Sequence, residues 1–161
     1  MNKVCILGLG YIGLPTASLF AANGHKVIGV DINSKVIESI NQKKLPFKES
    51  NLKPILEKAI EEKTLIAKTE PEEADVFIIS VPTPFDKEQK KADLSHVIAA
   101  TNTILPFLKK GNLIILESTV PPKTSLDIII PILEKNTLKA GKDFYYAHCP
   151  ERAIPGNTLN E

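Results

Sequence analysis

Three glycines within six residues, Gly8-Leu9-Gly10-Tyr11-Ile12-Gly13, lie between a short apolar run at 4–7 and a stretch at 14–22 whose apolar and small residues fall at helical spacing. Glycines so placed let a chain leave a strand, turn tightly and enter a helix packed close on that strand. The helix predicted over 14–22 stops at Asn23-Gly24, a pair that accepts the left-handed conformation ending such helices. Residues 26–30 then read as a second strand with Asp31 at its end. A strand joined to the next through a helix pairs with it in parallel, because the crossover returns the chain to the edge it left.

The alternation continues along the chain. Residues 34–42 read as a helix with Val36, Ile37 and Ile40 toward the core and Asn33 or Ser34 as its cap. A polar connector at 43–50 leads to a helix over 52–63, which carries Leu52, Ile55, Leu56, Ala59 and Ile60 on one side and Pro54 in its first turn. Short strands are predicted at 65–67, 76–80, 113–116 and 144–147, and helices at 94–109, closed by Gly111, and at 124–135, where Pro131 kinks or shortens the helix. Residues 81–93 read as a long loop in which Pro82 and Pro84 forbid regular structure, and residues 149–161 show no period. The predicted class is α/β: one domain over 1–161, with a Rossmann-type, doubly wound, mainly parallel sheet and helices on both faces.

Composition excludes several functions. With 20 Lys and Arg against 19 Asp and Glu, the formal charge of +1 argues against a nucleic-acid grip built on net positive charge. No apolar run approaches the ~18 residues of a membrane span. Lys3 and the apolar stretch after it imitate a secretory signal, but Gly8, Gly10, Gly13 and Pro15 would interrupt the signal helix. A chain of 161 residues can bury roughly 70% of its unfolded surface and needs no staple. Cys5 and Cys149 therefore read as unpaired thiols lying in or beside apolar runs, which suits a reducing cytoplasm, and no Cys/His spacing suggests a metal site.

The glycine turn also carries chemistry. The N-terminus of the helix that follows presents free N–H groups and a positive dipole end to a pyrophosphate. Asp31, 18 residues beyond Gly13, can accept hydrogen bonds from the hydroxyls of an adenosine ribose. Its charge would repel a 2′-phosphate and no Arg follows closely, so the expected cofactor is NAD rather than NADP, with Lys35 the one residue that could reach a phosphate. Glycines at such a turn, and an acid near a helix start, also occur as plain turn and cap chemistry, but strand, glycines, helix, second strand and acid in register favour a dinucleotide.

Gly8 to Pro15, Val30-Asp31-Ile32-Asn33, Val81-Pro82-Thr83-Pro84, Leu116-Glu117-Ser118-Thr119 and Cys149-Pro150-Glu151-Arg152 follow in the order seen in nucleotide-sugar dehydrogenases, and the chain resembles that family over its whole length. The resemblance implies oxidation of the C6 alcohol of a UDP-sugar to a carboxylate in two NAD-dependent steps. The Glu-Arg-x-x-Pro-Gly form of Glu151, Arg152, Pro155 and Gly156 resembles the UDP-N-acetyl-D-mannosamine branch, whereas UDP-glucose enzymes usually carry Asn-Pro-Glu-Phe-Leu there. UDP-glucose or UDP-N-acetylglucosamine 6-dehydrogenase, and a dinucleotide sensor without chemistry, remain the competing readings.

By resemblance, Gly8, Gly10 and Gly13 shape the turn, Tyr11 and Ile12 offer backbone to the pyrophosphate, and Asp31 holds the ribose. Thr83 and Thr119 line the NAD crevice, and Thr119 helps to position a water near the reacting carbon. Glu151 assists proton traffic beside the substrate, and Arg152 and Ala153 touch the UDP-sugar. The nucleophilic Cys and its supporting Lys are expected beyond residue 161, with a linking helical region and a second α/β domain, in a homodimer or larger assembly. Cys149 reads as packing or near-site lining, and Glu117 as a neighbour of the site. His25, His96 and His148 belong to no matched motif, and Glu70, Glu72, Glu73 and Asp75 read as a solvated acidic stretch.

Overall fold

The computed structural model describes residues 2–88, 90–153, 156 and 158. Strand β1 (Lys3–Leu7) runs through the glycine turn into α1 (Gly13–Ala22), and β2 (Lys26–Val30) returns beside β1. Helices α2 (Ser34–Asn41) and α3 (Leu52–Glu61) precede β3 (Leu65–Lys68) and β4 (Val76–Ile79). Two-residue strands β5 (Phe85–Asp86) and β6 (Lys91–Ala92) come before α4 (Ser95–Ile104), β7 (Leu113–Leu116), α5 (Ile130–Leu133) and β8 (Tyr145–His148). The main sheet has six strands in the order β3-β2-β1-β4-β7-β8, and every pairing in it is parallel.

That order follows from the crossovers. The chain winds from β1 through α1 to β2 and on to β3, then returns to the other side of β1 and winds through β4, β7 and β8. Strand order reverses between β1 and β4, which opens a crevice at their carboxyl ends. Each face of the sheet is covered. One core packs Ile6, Val27 and Ile78 under Leu14, Ala17, Ile40 and Leu56 of the first three helices. The other packs Cys5, Phe77 and Ile114 under Val97 and Ile104 of α4 and Ile129 and Leu133 near α5. Burial on both faces explains why the central strands read as continuous apolar runs rather than as alternating ones.

Three expected elements differ, each for a local reason. Residues 81–93 are not wholly irregular: Phe85 pairs with Ala92 and Asp86 with Lys91 in an antiparallel hairpin placed after the prolines. Helix α4 ends at Ile104 and tightens into a 3₁₀ turn over Leu105–Phe107, because Pro106 has no N–H to continue the ladder. Pro131 acts further than a kink. Residues Ser125–Ile129 form a π turn, α5 is a single turn with Pro131 at its start, and Glu134–Asn136 close it as 3₁₀. The acidic stretch before β4 is more than solvated: Glu72 pairs with Lys3 at 2.9 Å and Lys68 at 2.7 Å, contacts that hold its carboxyl below the usual range.

The turn between β1 and α1 is the tightest place in the fold. Gly8 has φ +93°, and a Cβ there would lie 2.6 Å from the Ser80 carbonyl oxygen at the end of β4. A Cβ on Gly13 would lie 1.8 Å from the Gly8 carbonyl oxygen. Gly13→Ala is therefore expected to cost at least ~1–3 kcal/mol, the range for forcing atoms into a packed interior, measured by urea unfolding.

Candidate functional site

The reversal between β1 and β4 brings the glycine turn, the end of β2 and the loop after β4 to one edge of the sheet. There a cleft of about 640 Å³ is lined by Gly8, Gly10, Tyr11, Asp31, Val81 and Pro82, with His96 of α4 on its far wall. Gly10 differs from its two neighbours in the motif, because a Cβ on it would meet nothing within 4 Å. Packing does not demand a glycine there; the open space is where a ligand's anionic group can come against bare backbone. The Gly10 and Ile12 carbonyls accept from Leu14 and Thr16 N–H at 3.1 and 3.0 Å, so the helix starts at once. Its opening N–H groups have no acceptor within the helix.

Asp31 is held by the fold before any ligand arrives. Leu9 N–H donates to its Oδ2 and Asn33 N–H to its Oδ1, each at 2.9 Å. The first bond ties the acid to the glycine turn and the second starts α2, whose cap is Asn33, accepting from Lys35 N–H at 3.1 Å. A carboxylate has about four acceptor positions, so two remain for the hydroxyls of a ribose. Ile32, 91% exposed beside it, leaves an apolar side chain at the rim. Bare backbone, a helix N-terminus and a fixed carboxylate fit a dinucleotide.

A second cleft of about 480 Å³ lies between α1 and the segment after β8, lined by Ile12, Thr16, Glu117, Glu151, Arg152 and Ala153. Cys149 also lines it; its thiol is exposed, so Cys149 borders the site rather than packing the core. Cys5 is the opposite case, fully buried in β1, where desolvation pushes its thiol up to about 12. Ala153 N–H donates to the Glu151 carboxylate, folding that side chain back over its own segment. Thr83 and Thr119 line neither cleft. They join the loops around them: the Thr83 hydroxyl donates to the Thr119 carbonyl at 2.7 Å, and the Thr119 hydroxyl donates to the Glu151 carbonyl at 3.3 Å.

Two residues connect the clefts. Ser80, at the end of β4, donates its hydroxyl to Glu117 Oε2 at 2.5 Å, and Thr16 of α1 donates to the same oxygen at 3.5 Å. Burial pushes the Glu117 carboxyl up; the two hydroxyls work against that, and the Glu151 charge adds to it. The acid at the end of β7 was visible in the sequence, but its hydroxyl partners come from β4 and α1 and no spacing announced them. Glu49, in the connector before α3, gave no signal at all. Pro155 of the expected Glu-Arg-x-x-Pro-Gly segment lies outside the described residues.

The comparisons with known proteins agree with this geometry. The family model for the NAD-binding domain of the UDP-glucose/GDP-mannose dehydrogenase family matches residues 2–161. A UDP-N-acetyl-D-mannosamine dehydrogenase of Methanococcus aeolicus is 54% identical over 163 aligned residues, covering all of this chain and 36% of that protein. The structure of the UDP-N-acetyl-mannosamine dehydrogenase of Staphylococcus aureus superposes with TM-score 0.95 at 46% identity, over 99% of this chain and 39% of that one. A ternary complex of GDP-mannose dehydrogenase from Pseudomonas aeruginosa gives TM-score 0.91 at 32% identity, over 98% and 38%. The chain thus spans little more than a third of the curated relative. Among the described residues no helix is long and apolar enough to cross a membrane.

The raised Glu117 carboxyl has a consequence for stability. A carboxyl whose pKa is higher folded than unfolded binds its proton more readily in the native state. Its contribution is complete below the ordinary carboxylate value and is lost as pH rises through the folded value. Glu117→Gln removes that dependence. Thermal melts of the two proteins from pH 7 down to pH 4 should show the wild type gaining on the variant as pH falls just above the ordinary carboxylate range. Parallel curves would contradict the assignment.

Proposed function

This chain belongs to the UDP-glucose/GDP-mannose dehydrogenase family, in its NAD-binding domain, and on that premise we propose that the protein carrying it is a UDP-sugar 6-dehydrogenase. Its substrate is a UDP-N-acetylhexosamine, UDP-N-acetyl-D-mannosamine first among them, whose C6 alcohol it oxidises to the uronate with two NAD. It works in the cytoplasm as a homodimer or larger assembly, with the linking helix, the UDP-binding domain and the nucleophilic Cys and Lys supplied by sequence beyond residue 161. The observation that carries the reading is the pair of adjoining clefts. One is a mouth of bare backbone and fixed acid suited to a dinucleotide; the other is lined by Glu151 and Arg152 and reached from the first through Ser80 and Glu117.

The chemistry supplied by bound NAD is the acceptance of a hydride, once from the alcohol and once from the aldehyde stage. The chain's own residues bind, orient and move protons. Gly8 and Gly13 hold the turn so that Gly10, Tyr11 and Ile12 N–H groups face the pyrophosphate, where partial positive charge stabilises the anion. Asp31 accepts from the ribose hydroxyls. Thr83 and Thr119 tie the loops after β4 and β7 together at the crevice, and the Thr119 hydroxyl oxygen keeps lone pairs with which to hold a water near the reacting carbon. Glu151 takes part in proton traffic, and the exposed Arg152 pairs with phosphate oxygens of the UDP-sugar while Ala153 lies against it.

Turnover by the complete protein tests the proposal. NADH should form with UDP-N-acetyl-D-mannosamine in a ratio of two per sugar. Formation with UDP-glucose alone would reject the substrate, and formation with no UDP-sugar would reject the enzyme. The cofactor mouth has its own test by calorimetry. Asp31→Ala should weaken NAD binding by about 1.5–3 kcal/mol, as for hydrogen bonds to a charged group. Gly10→Ala should weaken it too while leaving the melting temperature almost unchanged, because its Cβ meets only the space assigned to the ligand.

A further inference from the structure

Glu49 belongs to neither cleft, yet it is among the most deeply buried charged side chains described, at 7% exposure, in the polar connector between α2 and α3. Its partners come from the far end of the chain. Gly156 N–H donates to Oε2 at 2.8 Å and Thr158 N–H to Oε1 at 2.7 Å. The Thr158 hydroxyl lies 3.4 Å from the same Oε2 and 3.4 Å from the Tyr11 carbonyl of the glycine turn. Ser50 N–H, next in sequence, donates to the Gly156 carbonyl at 3.4 Å. Two residues before Glu49, the Phe47 ring lies against the Tyr11 ring with centroids 4.4 Å apart.

We propose that Glu49 is a positioning residue, holding the segment that carries Glu151, Arg152 and Ala153 in register with the glycine turn that binds the cofactor. The proposal rests on reading that segment as the one that touches the sugar nucleotide. Among the described residues Glu49 forms no ion pair with a Lys, Arg or His. Its charge is met by backbone amides, and what those bonds fix is distance. Among the described residues the segment has two anchors. At its start the Thr119 hydroxyl holds the Glu151 carbonyl, which ties it to the loop after β7. At its far side Glu49 holds Gly156 and Thr158, which ties it to the connector and, through Phe47 and Thr158, to Tyr11.

The connector can bear this load because it is fastened itself. Asn51 takes the left-handed conformation at φ 61°, and Leu52, fully buried, starts α3 directly after it. A carboxylate is also the one side chain suited to the task, since each oxygen accepts one of two amides separated by a single residue. A carboxamide would accept one and turn its own N–H₂ toward the other.

The complete protein and its Glu49→Gln and Glu49→Asp variants provide the test, read by amide hydrogen exchange and by steady-state kinetics. In Glu49→Gln, exchange at Gly156 and Thr158 should accelerate while β1 and α1 stay protected. KM for the UDP-sugar should rise about tenfold, the effect of losing one or two charge-assisted hydrogen bonds, with KM for NAD changed less than about twofold. Glu49→Asp, which keeps the charge on a shorter arm, should fall between the two and keeps the question answerable should Glu49→Gln fold poorly. Unchanged exchange at the segment, or an equal rise of both KM values, would overturn the proposal. A wild type that turns over no UDP-sugar would instead remove the reading of the segment as substrate-binding, while the exchange data would still decide whether Glu49 anchors it.

Discussion

The approach of three backbones at the carboxyl ends of β1 and β4 is the constraint from which the rest of this domain follows. Gly8, Gly13 and Ser80 crowd one another so closely that no side chain fits between them. That crowding sets the angle at which α1 leaves the sheet, and hence where its N-terminus points. It also places Ser80 against the turn, so that the serine hydroxyl reaches Glu117 on the neighbouring strand. A single packing requirement in this way orients the N-terminus of α1 and brings a half-buried acid beside it. The contrast with Gly10 is informative, since the same residue type within the same motif is demanded at two positions by protein atoms, whereas at the third a Cβ would meet only open space.

Buried and half-buried acids recur around the site, and they divide by the groups that hydrogen-bond to them. Asp31 and Glu49 each receive two backbone N–H groups and act as splints, one joining the glycine turn to α2 and the other joining the connector to the last described residues. Glu117 receives only hydroxyls, and burial, with a small addition from the Glu151 charge, raises its carboxyl against the lowering effect of those two bonds. Carboxylates met by backbone amides fix geometry, whereas the one met by side-chain hydroxyls in a cleft has its proton affinity raised by burial. The distinction separates parts that hold from parts that can move a proton.

Legibility in the sequence followed the range of the interactions involved. Strands β1, β2 and β7 and the start of α3 were readable because their signals are local: continuous apolar runs, helical spacing and Pro54 in a first turn. The fingerprint was readable because backbone sterics at a turn demand glycine whatever surrounds it. Ends were harder. Helix α4 stops before the expected position, and the expected helix over 124–135 divides into π, α and 3₁₀ turns, because a proline's missing N–H is absorbed by the neighbouring turns in a way that depends on packing. The hairpin at Phe85 and Lys91 escaped notice because two-residue strands leave no period to detect.

The site divides along the same line. Asp31 and the three glycines lie close together in sequence, and their joint task could be argued from spacing alone. Ser80, Glu117 and Thr16 are brought together across 101 residues, and Glu49 meets Thr158 across 109, so only the topology creates those contacts. Contacts of this span carry no local signal, because crossovers of the parallel sheet set distant residues at neighbouring strand ends. The glycine turn and Asp31 lie in the first third of the chain, but the first cleft is completed by Ser80, Val81, Pro82 and His96, and the second by Glu117 and residues 149–153. The glycine turn with its acid is the local part of the site, and the walls of both clefts depend on how the sheet brings distant strand ends together.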